Sequence, residues 1–224
     1  LVNFQERIMP AMLAMKEVGL DPIILEPKEG LSLINGTQVS TAIAIKACLE
    51  AENILKVADL SGALSVEASL SSRSVFKSDI HKLKNHPGQR IVASNIWNLL
   101  NKSEIVSSHK NCDRMQDPYS FRCIPQVHGI CRENYKCVKN IVENEANSVS
   151  DNPIIMPNGK VLNSGHFHAE SIAQAMDNLA IAIAEIGSIA ERRIHYFMKG
   201  ISDNVPSFIA SNPGLESGFM TAHV

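Results

Sequence analysis

The stretch from Ala169 to about His195 constrains this chain most. It is long enough for seven turns of helix and holds no proline. Ile172, Ala175, Met176, Leu179, Ile183, Ile186 and Ala190 recur at steps of three and four and draw one apolar stripe. Ala173, Ala180, Ala182, Ala184 and Gly187 cover much of the remaining circumference with small residues. A helix that is apolar or small nearly all round is either buried on most sides or lies amphipathic in an ordinary core, and small faces let helix axes approach closely. The first case predicts the centre of a bundle shared between subunits, the second a private core.

A second long helix is predicted after Asn35-Gly36-Thr37, running towards Leu70, with Thr37 or Asn35 as its N-cap and Gly62 marking a kink or break. Its apolar positions are Val39, Ile43, Ala47, Leu49, Ile54, Val57, Ala58 and Leu64. Only 5% of the 224 residues are aromatic, too few for a β-sandwich, and 45% are hydrophobic, enough for a sizeable core. The fold expected is mainly α, with long antiparallel helices in a central bundle. His86-Pro87-Gly88 reads as a turn opening a helix. Asp151-Asn152-Pro153 and Met156-Pro157-Asn158-Gly159 bracket a short β-hairpin with Val161 and Leu162, and Asn212-Pro213-Gly214 is another turn.

The formal charge of −2 gives no basic field for nucleic acid. There is no run of 18 apolar residues, so a membrane span is not expected. Five cysteines, Cys48, Cys112, Cys123, Cys131 and Cys137, fit a reduced cytoplasmic chain better than a disulfide framework.

Four clusters carry possible chemistry. Asn35-Gly36-Thr37-Gln38 either caps a helix or offers its free N–H groups to an anion, capping being the commoner use. Gln116-Asp117-Pro118-Tyr119-Ser120-Phe121-Arg122 holds an amide, a phenol for proton transfer and a guanidinium suited to a carboxylate, or else is a turn with a surface ion pair. His166, His168 and Glu170 are ligand types, but their spacing lacks the helical histidine pair of zinc enzymes, and no metal is expected there. Glu191-Arg192-Arg193 either complements a helix C-terminus or pairs with a neighbouring subunit.

These residues resemble a family. The strings are Lys28-Glu29-Gly30-Leu31 with Asn35-Gly36-Thr37-Gln38; His86-Pro87-Gly88-Gln89; Cys112-Asp113-Arg114 leading into Gln116 to Cys123; Pro125-Gln126-Val127; Asn147 to Pro153; Phe167-His168-Ala169-Glu170; and Ala184-Glu185-Ile186-Gly187 with Glu191-Arg192-Arg193. In this order, across essentially the whole chain, they resemble the aromatic amino-acid ammonia-lyases, most nearly the histidine type. The resemblance implies a fumarase/aspartase-like helical architecture, a cytoplasmic homotetramer with active sites built by several subunits, and elimination of ammonia from L-histidine to give trans-urocanate. It implies no external cofactor, because the family makes its electrophile, methylidene-imidazolone (MIO), by cyclising an Ala-Ser-Gly of its own backbone. Carried over, Arg122 binds the substrate carboxylate, Tyr119 assists the amine chemistry, Gln116 hydrogen-bonds in the pocket, Asn35 stands beside the electrophile and the amino-acid end of the substrate, and Phe167 packs on the electrophile ring.

The chain also departs from the pattern. It contains no Ala-Ser-Gly, and the family's N-terminal tyrosine loop and the glutamate beyond Ser217-Gly218-Phe219 are absent. The expectation is that 1–224 is the central portion of a single lyase domain and is inactive alone. His166 stands where asparagine is usual and His128 where an apolar residue is common; each is either a tolerated substitution or a change to pocket charge. A tyrosine or phenylalanine lyase or aminomutase, or a non-catalytic helical subunit, are the alternatives.

Overall fold

The computed structural model describes residues 1–109 and 114–223, so Cys112 and the Cys112-Asp113 pair of the family string lie outside the described residues. The chain divides into two compact units, one made of 1–36 with 150–167, the other of 37–149 with 168–223.

The first unit opens with strands β1 (Val2–Phe4) and β2 (Arg7–Met9), paired antiparallel, followed by α1 (Ala11–Glu17) and α2 (Glu29–Ile34). The anticipated hairpin is present: β3 (Ile154–Ile155) pairs antiparallel with β4 (Val161–Leu162). Gly159 closes its turn at φ 78°, donating its N–H to Met156 O at 2.8 Å. The two halves of the unit meet at Asp151. Its carboxylate takes the Lys28 ammonium, the Ser32 hydroxyl (3.0 Å) and the Asn35 amide (3.0 Å). The Lys28 contact, with the Asn152 N–H and Asn35, holds the Asp151 carboxyl well below the usual carboxylate range.

The second unit is helical: α3 (Gln38–Ala68), α4 (Ser78–Lys82), α5 (Pro87–Leu99), α6 (Glu104–Ser108), α7 (Tyr119–Arg122), α8 (Ile124–Ala146) and α9 (Glu170–Met198), with 3-10 turns at Arg73–Phe76, Ser207–Ile209 and Gly218–Ala222. Pro87 occupies the first turn of α5, as its fixed φ allows. Helix α8 packs on α9, α5 and α3. Three apolar clusters form the interior: Phe76, Ile96, Phe121 and Ile124 with their neighbours; Ala44, Ala51, Val138, Ile172 and Leu179; and Leu55, Cys131 and Ile186.

The expected stripe of α9 is borne out at Ile172, Ala175, Leu179 and Ile186, which are buried. By length and composition α9 is also apolar enough to cross a membrane, although in this fold a third of that stretch is buried. Helix α3 departs from most of the expectation. Its buried positions are Thr41, Ala44, Cys48, Ala51, Leu55, Ala58, Asp59, Gly62, Ala63 and Val66, so Ala58 is borne out, while Val39, Ile43, Leu49, Val57 and Leu64 face outward. Small residues turn inward because they let α3 lie close to α8 and α9.

Gly62 does not kink α3. It is buried where a Cβ would stand 3.3 Å from Ile124 Cδ1, so its role is close packing. A tighter contact joins α5 and α8, where Gly88 and Gly129 bring the two backbones together.

Candidate functional site

Helix α7 is short and held by what surrounds it. Asp117 accepts the Ser72 N–H (2.7 Å) and Arg114 Nη1 (3.2 Å), which fixes the strand entering the helix. Phe121 is 1% exposed and meets Tyr196 and Phe197 edge-on, with ring centroids 5.1 and 5.9 Å apart. With Phe121 locked inward, Tyr119 and Arg122 share another face of the turn. The Arg122 guanidinium lies over the Tyr119 ring, 4.6 Å from its centroid. Arg122 Nε is buried and lacks a hydrogen-bond partner, the state of a donor arranged for a ligand acceptor.

Two clefts flank α7. One, about 900 Å³, is lined by Gln116 and Arg122 with Arg73, Lys77, Lys102 and Arg114, against Asp117 as its acidic member. Arg73 is committed within it, stacked 3.7 Å from the Trp97 ring centroid and donating to Trp97 O. The other, about 480 Å³, is lined by Tyr119, Cys123, Glu185, Arg192, His195 and Tyr196. Of the site residues anticipated in this unit, Tyr119 and Arg122 are therefore in direct contact, and Gln116 shares the cationic cleft with Arg122.

Asn35 and Phe167 belong to the other unit. Asn35 is the C-cap of α2, so it does not itself cap the following helix. Its Nδ2 donates to Asp151 Oδ1 and to Asn152 O (3.4 Å), which fixes the orientation of the amide. Phe167 is 44% exposed, its ring open to a partner. Thr37 stands at the N-cap of α3 but donates its hydroxyl to Glu145 Oε1 (2.7 Å) instead of capping. Glu145 also accepts Ser171 Oγ (3.2 Å), so one carboxylate ties the starts of α3 and α9 to the end of α8.

The two unusual histidines differ in setting. His166 is exposed beside Ser164 Oγ at 2.6 Å. His128 is fully buried and lines neither cleft. Its Nδ1 lies 3.0 Å from Asp59 Oδ1, and Asp59 Oδ2 accepts Asn95 Nδ2 (2.8 Å) and Arg132 Nη2 (2.7 Å). Burial lowers the His128 pKa against the raising effect of Asp59. Burial pushes the Asp59 carboxyl up, but its hydrogen bonds from His128 and Asn95 and the Arg132 charge leave it lowered.

The arginines of Glu191-Arg192-Arg193 separate. Arg192 pairs with Glu191, and Arg193 turns inward, 3% exposed, with Nη1 3.5 Å from Ser120 O and burial lowering its pKa to about 10. Arg193 thus supports the backbone of α7 from behind. Nothing in its position at a helix end distinguishes this role; the signal is the apolar spacing it shares with Ile186 and Ile189.

The chain as a whole is similar to known proteins. The family model described as aromatic amino acid lyase matches residues 1–224. The chain is 47% identical over 224 residues to a histidine ammonia-lyase of Vibrio cholerae, covering 99% of the chain and 44% of that relative. The crystal structure of histidine ammonia-lyase from Trypanosoma cruzi aligns with a TM-score of 0.85 at 40% identity, covering 97% of this chain and 41% of that one. Tyrosine aminomutase from Streptomyces globisporus aligns with a TM-score of 0.87 at 29% identity, covering 98% and 46%. The chain spans less than half the length of the curated relatives it matches.

Proposed function

The chain belongs to the aromatic amino acid lyase family, and we propose that it serves a histidine ammonia-lyase, releasing ammonia from L-histidine to give urocanate. The observation that carries this reading is the Tyr119–Arg122 pair, with Arg122 Nε buried and unpartnered beside a cationic cleft. A free amino acid presents a carboxylate, and a planar guanidinium binds it through two parallel charge-assisted hydrogen bonds.

Arg122 holds the substrate carboxylate in this proposal, and the Tyr119 ring keeps the guanidinium from swinging away. Tyr119, 71% exposed, carries a proton at its phenol oxygen to or from the substrate amine. Gln116 adds hydrogen-bonding capacity on the Arg122 side. Asn35, oriented by Asp151, presents its side-chain amide to the amino-acid end of the substrate.

The family's methylidene-imidazolone supplies the electrophile that turns the amine into a leaving group. Its Ala-Ser-Gly precursor does not occur in these 224 residues. Within the unit of 1–36 and 150–167, what this chain offers such a ring is an exposed aromatic side chain at Phe167 and the Asn35 amide held by Asp151, both chemically suited to it. The outward Val39, Ile43, Leu49, Val57 and Leu64 of α3 support assembly with further copies, proposed as a homotetramer. The cysteines among the described residues are free, which supports a cytoplasmic setting.

The test is Arg122→Ala in the full-length protein, assayed by the ultraviolet absorbance of urocanate. A hydrogen bond to a charged group contributes about 1.5–3 kcal/mol, so kcat/KM for L-histidine is expected to fall roughly 10- to 150-fold. An unaltered kcat/KM removes the carboxylate role. A cinnamate-type product from phenylalanine or tyrosine, with no urocanate from histidine, overturns the substrate.

A further inference from the structure

Away from the residues assigned above, three ligand-bearing side chains converge at the C-terminal end of α9. Glu191 and His195 are one turn apart on that helix and so share a face. His223 reaches them just after the 3-10 turn Gly218–Ala222. One ligand atom from each of the three lies within 4.8 Å of the others. His195 Nδ1 and His223 Nε2 are 3.2 Å apart, and His223 Nδ1 is 2.5 Å from Glu191 Oε1.

Two features of this cluster stand out. Glu191 Oε1 is buried and, despite its closeness to His223 Nδ1, completes no well-aligned hydrogen bond. Buried polar atoms in that condition call for an explanation such as an ion. The two facing imidazole nitrogens are also spaced as ligands are. Zinc with bonds of about 2.0–2.1 Å sets its tetrahedral ligands roughly 3.3 Å apart.

We propose that Glu191, His195 and His223 form a binding site for a divalent transition cation of the zinc class. Two imidazoles and a carboxylate suit such a cation, whereas calcium and magnesium select oxygen ligands. Three protein ligands leave a fourth position for water. Closing the 4.8 Å spread to bonding distance requires Glu191 or His223 to rotate about its side-chain bonds. The opposing charges are Arg192, paired with Glu191, and the nearby Lys199; burial first and Lys199 second lower the His195 pKa. The bound cation clasps the Gly218–Ala222 turn to α9, and because His195 lines the Tyr119 cleft it does so at the edge of that cleft. The Glu191-x3-His195 half is visible in the sequence; His223, 28 residues on, is brought in by the fold.

The experiment is equilibrium dialysis of the full-length protein against Zn²⁺, with bound metal measured by mass spectrometry, alongside the visible spectrum of the Co²⁺-loaded protein. One equivalent per chain is expected, with tetrahedral Co²⁺ bands. The His195→Ala/His223→Gln double variant should bind at least about tenfold more weakly and lose those bands. His223→Gln alone, at an exposed turn, serves if the double variant does not fold, and should weaken binding in the same direction. Failure of the wild type to retain Zn²⁺, or retention by either variant at wild-type affinity, overturns the site and leaves the cluster a Glu–His–His hydrogen-bond chain.

Discussion

Replacing Gly129 by alanine should destabilise the protein although alanine is the better helix former. A Cβ at Gly129 would stand 2.5 Å from Gln89 N, 2.6 Å from Gln89 Cα and 2.9 Å from Gly88 C. Unstrained contacts between carbon atoms lie near 3.5–4.0 Å, so α5 would have to retreat by roughly 1 Å. All three atoms belong to the α5 backbone, and no side chain can swing aside to make room. A retreat of that size draws Val92 and Ile96 out of contact with the core, where they are fully buried. Overpacking costs about 1–3 kcal/mol, and this case belongs at the upper end, against about 1 kcal/mol gained in helix propensity. The expected net loss is about 2 kcal/mol. Gly62→Ala is the matched comparison, since Gly62 is equally buried and helical but its new Cβ meets the tip of Ile124 at 3.3 Å, which can yield. Its propensity gain should roughly cancel its packing cost. Urea unfolding of the full-length protein followed by circular dichroism reads both. If Gly129→Ala proves as stable as Gly62→Ala, the close backbone crossing of α5 and α8 is wrong.

Two further outcomes concern titration and thiol chemistry. The lowered His128 pKa means that acidification below the ordinary value of 6.5 protonates the unfolded chain first, so stability should fall as pH drops from neutral; the lowered Asp59 carboxyl should add a second loss as pH falls below about 3.8. His128→Gln should shrink the first slope, leaving the part due to the likewise lowered His195, and a slope unchanged from wild type contradicts the buried dyad. Among the thiols, Cys137 is exposed, while burial raises Cys48 and pushes Cys131 up to about 11. A thiol reagent at neutral pH, with the sites mapped by mass spectrometry, should therefore modify Cys137 and reach Cys48 and Cys131 only on unfolding; early modification of either buried thiol refutes their placement.

The two longest helices, the α5 start and the β3–β4 hairpin were legible because periodicity, Pro87 and the Asn158-Gly159 turn are local signals. Helix α8 was not. Its inward positions, Ile124, His128, Cys131, Tyr135, Val138 and Val142, keep perfect helical spacing, but a histidine and a tyrosine among them break an apolar count. His128 is tolerated there only because Asp59, 69 residues earlier, meets it. The same limit explains α3, where small residues such as Ala44, Ala51 and Ala58 face the core and bulky Val39, Ile43 and Leu49 do not. At the site, Tyr119 and Arg122 are three apart and their pairing follows from one turn of helix. Arg193 behind α7 and Asp151 beneath Asn35 act across long sequence gaps, which spacing does not reveal.

The Asp151 junction also bears on the order in which the protein can be made. Asn35 leaves the ribosome 116 residues before its carboxylate partner. At about 5–20 residues per second, that is a delay of roughly 6–23 s. Through that interval Lys28, Ser32 and Asn35 have no anchor from this junction, while α3, α5 and α8 are already complete. Vectorial synthesis therefore finishes the helical unit's first three long helices before it can close the unit that holds Asn35. A nascent chain stalled before Asp151 would carry α3, α5 and α8 without α9, behind an open N-terminal segment, the state in which a protease or a chaperone would meet it.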